Sequence, residues 1–99
     1  MNRRSEHLRV GVVGEKIAGR FLIKNGFRII ERNVHRKWGE LDIVAQHKRT
    51  KRIHIVEVKT VSGSKASAPT HPSENLTKHK LEKLVRTAIL YTKEKQRVG

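Results

Sequence analysis

Two apolar, β-branched runs separated by a short basic segment limit what this chain can become. Leu41-Asp42-Ile43-Val44-Ala45 and Ile53-His54-Ile55-Val56-Glu57-Val58-Lys59 flank His47-Lys48-Arg49-Thr50-Lys51-Arg52. That is the pattern of two strands joined by a polar loop. Paired as an antiparallel hairpin centred on the loop, residues whose numbers sum to 99 face one another. Asp42 then meets Glu57, and Glu40 meets Lys59. Glu57 and Lys59 share a face because strand side chains alternate. A slip of one residue would undo the arrangement.

The rest of the chain supplies elements to cover this hairpin. From Val10 to Asn25 the pattern is helical, with Val10, Val13, Ile17, Ala18, Phe21 and Leu22 on one face and Gly26 as the stop. Gly11, Gly14 and Gly19 weaken that helix but suit close approach of another backbone. Phe27 to Val34 reads as a strand, followed by a turn at Lys37-Trp38-Gly39. Val61 to Asn75, with Gly63, Pro69 and Pro72, reads as an exposed flexible loop. Asn75 or Thr77 then caps a second helix reaching about Lys95, whose expected buried stripe is Leu81, Leu84, Val85, Ala88 and Tyr91 or Thr92. The expectation is one α/β domain over 1–99, in the order α-β-β-β-α, with helices packed on a mixed sheet and a basic tail at 1–9.

Charge narrows the partners. Lys and Arg number 23 against nine Asp and Glu, a formal net charge of +14. So large an excess strains a compact state by self-repulsion and favours a polyanionic partner, nucleic acid first. No stretch sets basic residues opposite a broad aromatic face or approaches transmembrane length, so a membrane partner is not expected. With no cysteine, disulfides and zinc–thiolate sites are excluded. No signal-peptide core is evident, and a cytoplasmic location is expected.

Within this basic chain, Gly39-Glu40-Leu41-Asp42 opens one strand and Glu57-Val58-Lys59 closes the next. Two carboxylates facing each other in a sheet repel. A hard divalent cation, Mg²⁺ or Mn²⁺, resolves that repulsion, because such ions bind through one or two carboxylates, waters and substrate phosphates. Lys59 on the same face would orient a water or offset charge in a transition state. Glu15, at the margin of the first helix's apolar face, would aim a third carboxylate at the site. The competing reading is a salt-bridge ladder pairing Glu40 with Lys59. A lone Glu-x-Lys triplet would favour the ladder; its combination with Gly-Glu-x-Asp at this separation favours the metal.

These residues resemble a known family. Gly14-Glu15-x-x-Ala18-x-x-x-Leu22, Asn25-Gly26-Phe27, Arg32-Asn33, Gly39-Glu40-Leu41-Asp42-Ile43-Val44 and Val56-Glu57-Val58-Lys59-Thr60 are similar to the motifs of the YraN family, small bacterial proteins of poorly defined role. The likeness continues through Leu76-Thr77-x-x-Lys80 and Leu84-x-x-x-Ala88-x-x-Tyr91. It implies a restriction-endonuclease-like PD-(D/E)xK core akin to archaeal Holliday-junction resolvases. In such a core Asp42, Glu57, Glu15 and the backbone carbonyl of Val58 would hold metal, and Lys59 would take the lysine role. Lys80 matches a basic helix position that contacts DNA. Members run on through at least one more strand, whereas this chain stops at Gly99. A sheet lacking its final strand, or one whose open edge pairs in a homodimer, is the corresponding expectation.

Three functions are therefore carried forward. The first is a Mg²⁺-dependent DNA endonuclease acting on branched or structured substrates, with Lys80, Arg86 and the loop residues Lys48, Arg49, Lys51 and Arg52 holding phosphates. The second is a non-catalytic nucleic-acid-binding protein that keeps the outline of a nuclease. The third is a small structural component of a ribonucleoprotein, which leaves the acidic strand positions unexplained. Trp38, beside the first turn, suits either stacking on a base or anchoring a small core.

Overall fold

The computed structural model describes residues 3–60 and 77–98. Helix α1 (Arg3–Lys24) is followed by strands β1 (Phe27–Arg36), β2 (Gly39–His47) and β3 (Ile53–Val56) and by helix α2 (Lys78–Val98). The order is the expected α-β-β-β-α. The strands form one antiparallel sheet in the order β1-β2-β3. The loop expected at 61–75 lies outside the described residues. Helix α1 begins at Arg3, earlier than apolar periodicity alone indicated, so residues 3–9 continue the helix instead of forming a tail.

The hairpin register follows the symmetry of its loop. Ile43 pairs with Val56, Val44 with Ile55, Ala45 with His54 and Gln46 with Ile53. The connecting turn is closed by His47, whose Nδ1 accepts the backbone N–H of Arg49 and of Thr50, each at 3.2 Å. Lys51 there takes the left-handed region at φ 66°. Strand β3 ends at Val56, short of the expected Lys59, for a reason that belongs to the site below.

Each face of the sheet carries one helix. Val34, Leu41, Val44 and Tyr91, with Ile55 and Leu84, form the core beneath α2. Leu22, Ile43 and Ala45, with Ala18, Phe27, Ile29, Val56 and Val58, form the core beneath α1. Neighbours Val44 and Ala45, and Ile55 and Val56, divide between the two layers as alternation requires. Truncating fully buried Ile43 to Ala would cost about 2–5 kcal/mol by cavity formation.

Leu41 and Ile43 break the alternation, packing on different faces. Across from Asp42, between Arg32 (paired with Ile43) and Val34 (paired with Leu41), Asn33 has φ 52°. A left-handed residue inside a strand turns the chain out of strict two-residue periodicity, and Asn tolerates that conformation better than most. The sheet is therefore irregular where the acidic residue sits.

Helix packing corrects the hydropathy reading. The expected apolar face of α1 divides: Val13, Ile17 and Phe21 are turned outward at 53%, 62% and 64% exposure, whereas Ala18 and Leu22 pack on the sheet as expected. The buried face carries Ala18, Leu22 and the glycines. A β-carbon on Gly14 would overlap the Thr60 hydroxyl, and one on Gly19 would lie 2.6 Å from Arg32 Nη1. Absence of side chains at these positions lets the helix lie close to β1 and to the strand exit.

The expected stripe of α2 divides likewise, with Leu84 and Tyr91 packed on the core as expected. Leu81 and Val85 are exposed while Thr87 and Tyr91 are buried. Polar bonds set that rotation: Tyr91 donates to Glu31 Oε1 at 2.6 Å, and Arg36 Nε and Nη2 reach the two oxygens of Glu94 at 2.9 and 2.8 Å. Thr77, as expected, caps the helix, its Oγ1 accepting the Lys80 N–H at 3.1 Å.

A candidate divalent-cation site at the open end of the hairpin

Beyond the last paired residues, Ile43 and Val56, the same register brings Asp42 to Glu57. There the backbone ladder gives way to side-chain bonds. The N–H of Val58 donates to Asp42 Oδ2 at 2.8 Å, and the N–H of Asp42 donates to Glu57 Oε1 at 3.4 Å. A short acidic side chain competes readily with backbone acceptors for an N–H. That competition, with repulsion between the facing carboxylates, accounts for the end of β3 at Val56.

The two acids are coupled. Glu57 is held above its ordinary carboxylate range, first by burial of its carboxyl and then by the negative charge of Asp42, with Glu40 adding a smaller repulsion. Direct interaction between the Asp42 and Glu57 carboxyl groups raises Glu57 further. Two adjacent carboxylates have the donor chemistry that Mg²⁺ or Mn²⁺ prefers. Lys59, two residues on, is exposed, and its ammonium has no partner among the described residues. Glu40 bonds His35 at 3.1 Å, so the Glu40–Lys59 ladder does not form.

Glu15 stands apart from this pair. With the Asn33 amide oriented nitrogen-first, Asn33 donates to Glu15 Oε2 at 2.9 Å and Oε1 at 3.2 Å. Among the described residues, no three His, Asp or Glu side chains group closely enough to hold a metal ion. Val58 reaches the pair through its N–H, whereas the expectation gave its carbonyl the role. The structure thus unites Asp42 and Glu57 and leaves Glu15 on Asn33.

The basic residues spread over three places. Lys48, Arg49, Lys51 and Arg52 are exposed at the far end of the hairpin. His47 lies five residues from Asp42 along β2, roughly 16 Å at about 3.3 Å per residue, so this loop lies well away from the acidic pair. Lys80 and Arg86 are exposed on α2.

A third group escaped the sequence reading: Lys16, Arg20 and Arg32 line a concavity of about 400 Å³ with Val12, Glu15 and Asn33. The Arg32 guanidinium lies against Gly19 and, like Lys16 and Arg20, has no partner among the described residues. The four-residue spacing of Lys16 and Arg20 was the available signal.

No helix among the described residues is long and apolar enough to cross a membrane.

Comparison with known proteins places these features in a family. The family model described as "Uncharacterised protein family UPF0102" matches residues 14–98. A UPF0102 protein of Syntrophomonas wolfei is 39% identical over 88 residues, 89% of this chain and 72% of its own. One from Campylobacter jejuni is 41% identical over 81 residues, 82% of this chain and 66% of its own. One from Caldanaerobacter subterraneus is 43% identical over 82 residues, 83% of this chain and 63% of its own. The chain therefore spans about two thirds of the length of these relatives. No solved structure matches it. A match running from Gly14 through both acidic strand positions and almost all of α2 makes this chain a member of UPF0102, the YraN family.

Proposed function

We propose that this protein is a metal-dependent DNA endonuclease, hydrolysing phosphodiester bonds at the Asp42–Glu57 pair. The observation that carries the reading is the meeting of those two carboxylates beyond the β2–β3 ladder. Asp42 and Glu57 would hold Mg²⁺ or Mn²⁺. When bound, such an ion supplies Lewis-acid polarisation of a phosphodiester oxygen and makes a neighbouring water more acidic. Lys59 would orient the attacking water or offset charge on the phosphate. The Val58 N–H holds the Asp42 carboxylate in place.

DNA as substrate is supported by the net charge of +14 and by exposed cations on the β2–β3 loop, on α2 and around the Lys16–Arg20–Arg32 concavity. Together they offer phosphate contacts along a strand without reading its sequence. Glu15 enters only as the acceptor for Asn33, so the cation rests on two protein carboxylates, a number common for Mg²⁺.

Incubating the protein with duplex, forked and four-way-junction DNA in Mg²⁺ or Mn²⁺ tests the reading. Cleavage by the native chain, abolished in Asp42→Ala and Glu57→Ala with DNA binding kept, is the expected result. Cleavage that survives both substitutions contradicts it.

One observation favours a second reading, a nucleic-acid-binding protein without turnover: Glu15 lies on Asn33, and no three-residue acidic group forms among the described residues. Binding that falls steeply with salt, and no nicking of any substrate, would select it.

A further inference from the structure

Trp38 is the only tryptophan of the chain, and it sits at the β1–β2 turn with 38% of its surface exposed. It belongs to neither of the apolar groups beneath the helices, so it is not a core anchor. A partly exposed indole offers a broad apolar face with a polar edge for contact with a ligand.

The backbone that carries it is held on both sides. Arg36 grips Glu94 of α2 through two bonds, at 2.9 and 2.8 Å. The Thr87 hydroxyl, bonded to the Lys83 carbonyl at 2.8 Å, lies 3.4 Å from the Trp38 carbonyl. Gly39 follows, packed so tightly on Thr87 that a β-carbon there would overlap the hydroxyl. The turn is pinned to α2 while the indole stays accessible.

Beside the indole is a concavity of about 120 Å³ lined by Trp38, His79, Glu82, Lys83 and Arg86. The side chains of Lys83 and Arg86 are exposed, and their charged groups have no partner among the described residues. An aromatic platform flanked by two cations, on a rigid support, is the arrangement that binds unpaired nucleotides: the ring stacks on a base and the cations take its phosphates. Duplex does not suit it, because bases within a duplex already have both faces stacked. Glu82 opposes a phosphate placed directly over it, so the phosphates lie toward Lys83 and Arg86.

The geometry points to Trp38 as a base-stacking site for single-stranded nucleic acid, with Lys83 and Arg86 holding the adjoining phosphates. Trp38 is four residues from Asp42 along the chain, roughly 13 Å of extended strand. A base held there lies a few nucleotides from a phosphate at the acidic pair, as in a substrate with an unpaired segment beside the scissile bond. The inference rests on the reading of this protein as one that handles nucleic acid, and not on cleavage.

A single tryptophan makes the test direct. Indole emission is followed while oligo-dT or a mixed-sequence duplex is added at equal phosphate concentration. Affinity of labelled oligonucleotides is then measured by anisotropy for Trp38→Leu, Trp38→Phe and Lys83→Ala/Arg86→Ala, each checked for folding by circular dichroism.

The expected result is quenching by the single strand and about tenfold weaker single-strand binding in Trp38→Leu. Trp38→Phe should keep most of the affinity, duplex binding should change less than about twofold, and the double variant should flatten the salt dependence. Unchanged emission, with Trp38→Leu binding as tightly as the native chain, overturns the stacking site and leaves the cleavage reading standing. Absence of binding to any nucleic acid overturns both.

Discussion

The backbone N–H of Asp42 donates to the Glu57 carboxylate at 3.4 Å, so two acidic residues are held together where the β2–β3 hairpin stops pairing. A fold selected only for stability would not place acids there, because facing carboxylates oppose each other.

Substituting Glu57→Gln should raise stability in the absence of divalent ions. Gln keeps an oxygen for the Asp42 N–H but removes the charge that burial and Asp42 both disfavour. A gain of about 0.2–1 kcal/mol in urea unfolding is expected. A clear loss would mean that the Glu57 charge has a favourable partner.

Asp42→Ala and Asp42→Asn should differ. Asn retains an oxygen for the Val58 N–H, whereas Ala leaves that N–H without its acceptor. The Ala variant should lose about 1 kcal/mol more than Asn, with faster hydrogen exchange at Val58. Equal stabilities would show that the bond does not hold the strand exit.

These two predictions rest on residues that were legible in the chain. The β2–β3 register followed from a short polar loop between β-branched runs, and Asp42 and Glu57 follow from that register. The packed faces of the helices were not fully legible, although Ala18, Leu22, Leu84 and Tyr91 were read correctly. Gly14 and Gly19, read as suited to close approach, do mark the side of α1 that meets Thr60 and Arg32, but hydropathy wrongly placed Val13, Ile17 and Phe21, which face outward, on the packed side. Nor was the left-handed turn at Asn33, which breaks strand periodicity and supplies the partner for Glu15. Both depend on contacts between segments distant in sequence, beyond the reach of local pattern.

Tyr91→Phe should destabilise the protein by about 1–2 kcal/mol at neutral pH, by removing a 2.6 Å bond to a charged acceptor. The Tyr91 hydroxyl is the largest cause holding Glu31 below its ordinary range; burial opposes it, and Lys95 and Arg36 add to it. A depressed carboxyl contributes stability that is complete above its unfolded value, ~4.3, and is lost as pH falls through the folded one. The gap between native chain and variant should therefore persist at pH 7 and narrow below about pH 4. A gap that widens in acid would reverse the assignment.

Gly14→Ala should disturb the site without touching its acids. The added methyl meets the Thr60 hydroxyl, three residues beyond Glu57, and must displace the strand exit or the helix. A stability loss of about 1–3 kcal/mol is expected, with weakened divalent-ion binding. Gly11→Ala, where a β-carbon meets nothing within 4 Å, is the control and should be neutral or stabilising. Equal behaviour of the two variants would contradict the close approach.

Calorimetric titration of Mg²⁺ and Mn²⁺ into the native chain and into Asp42→Asn and Glu57→Gln needs no knowledge of the DNA substrate. A single ion per chain, lost in both variants while each remains folded, is the expected result. No binding to the native chain, or undiminished binding to both variants, would contradict the assignment of Asp42 and Glu57 to a shared cation.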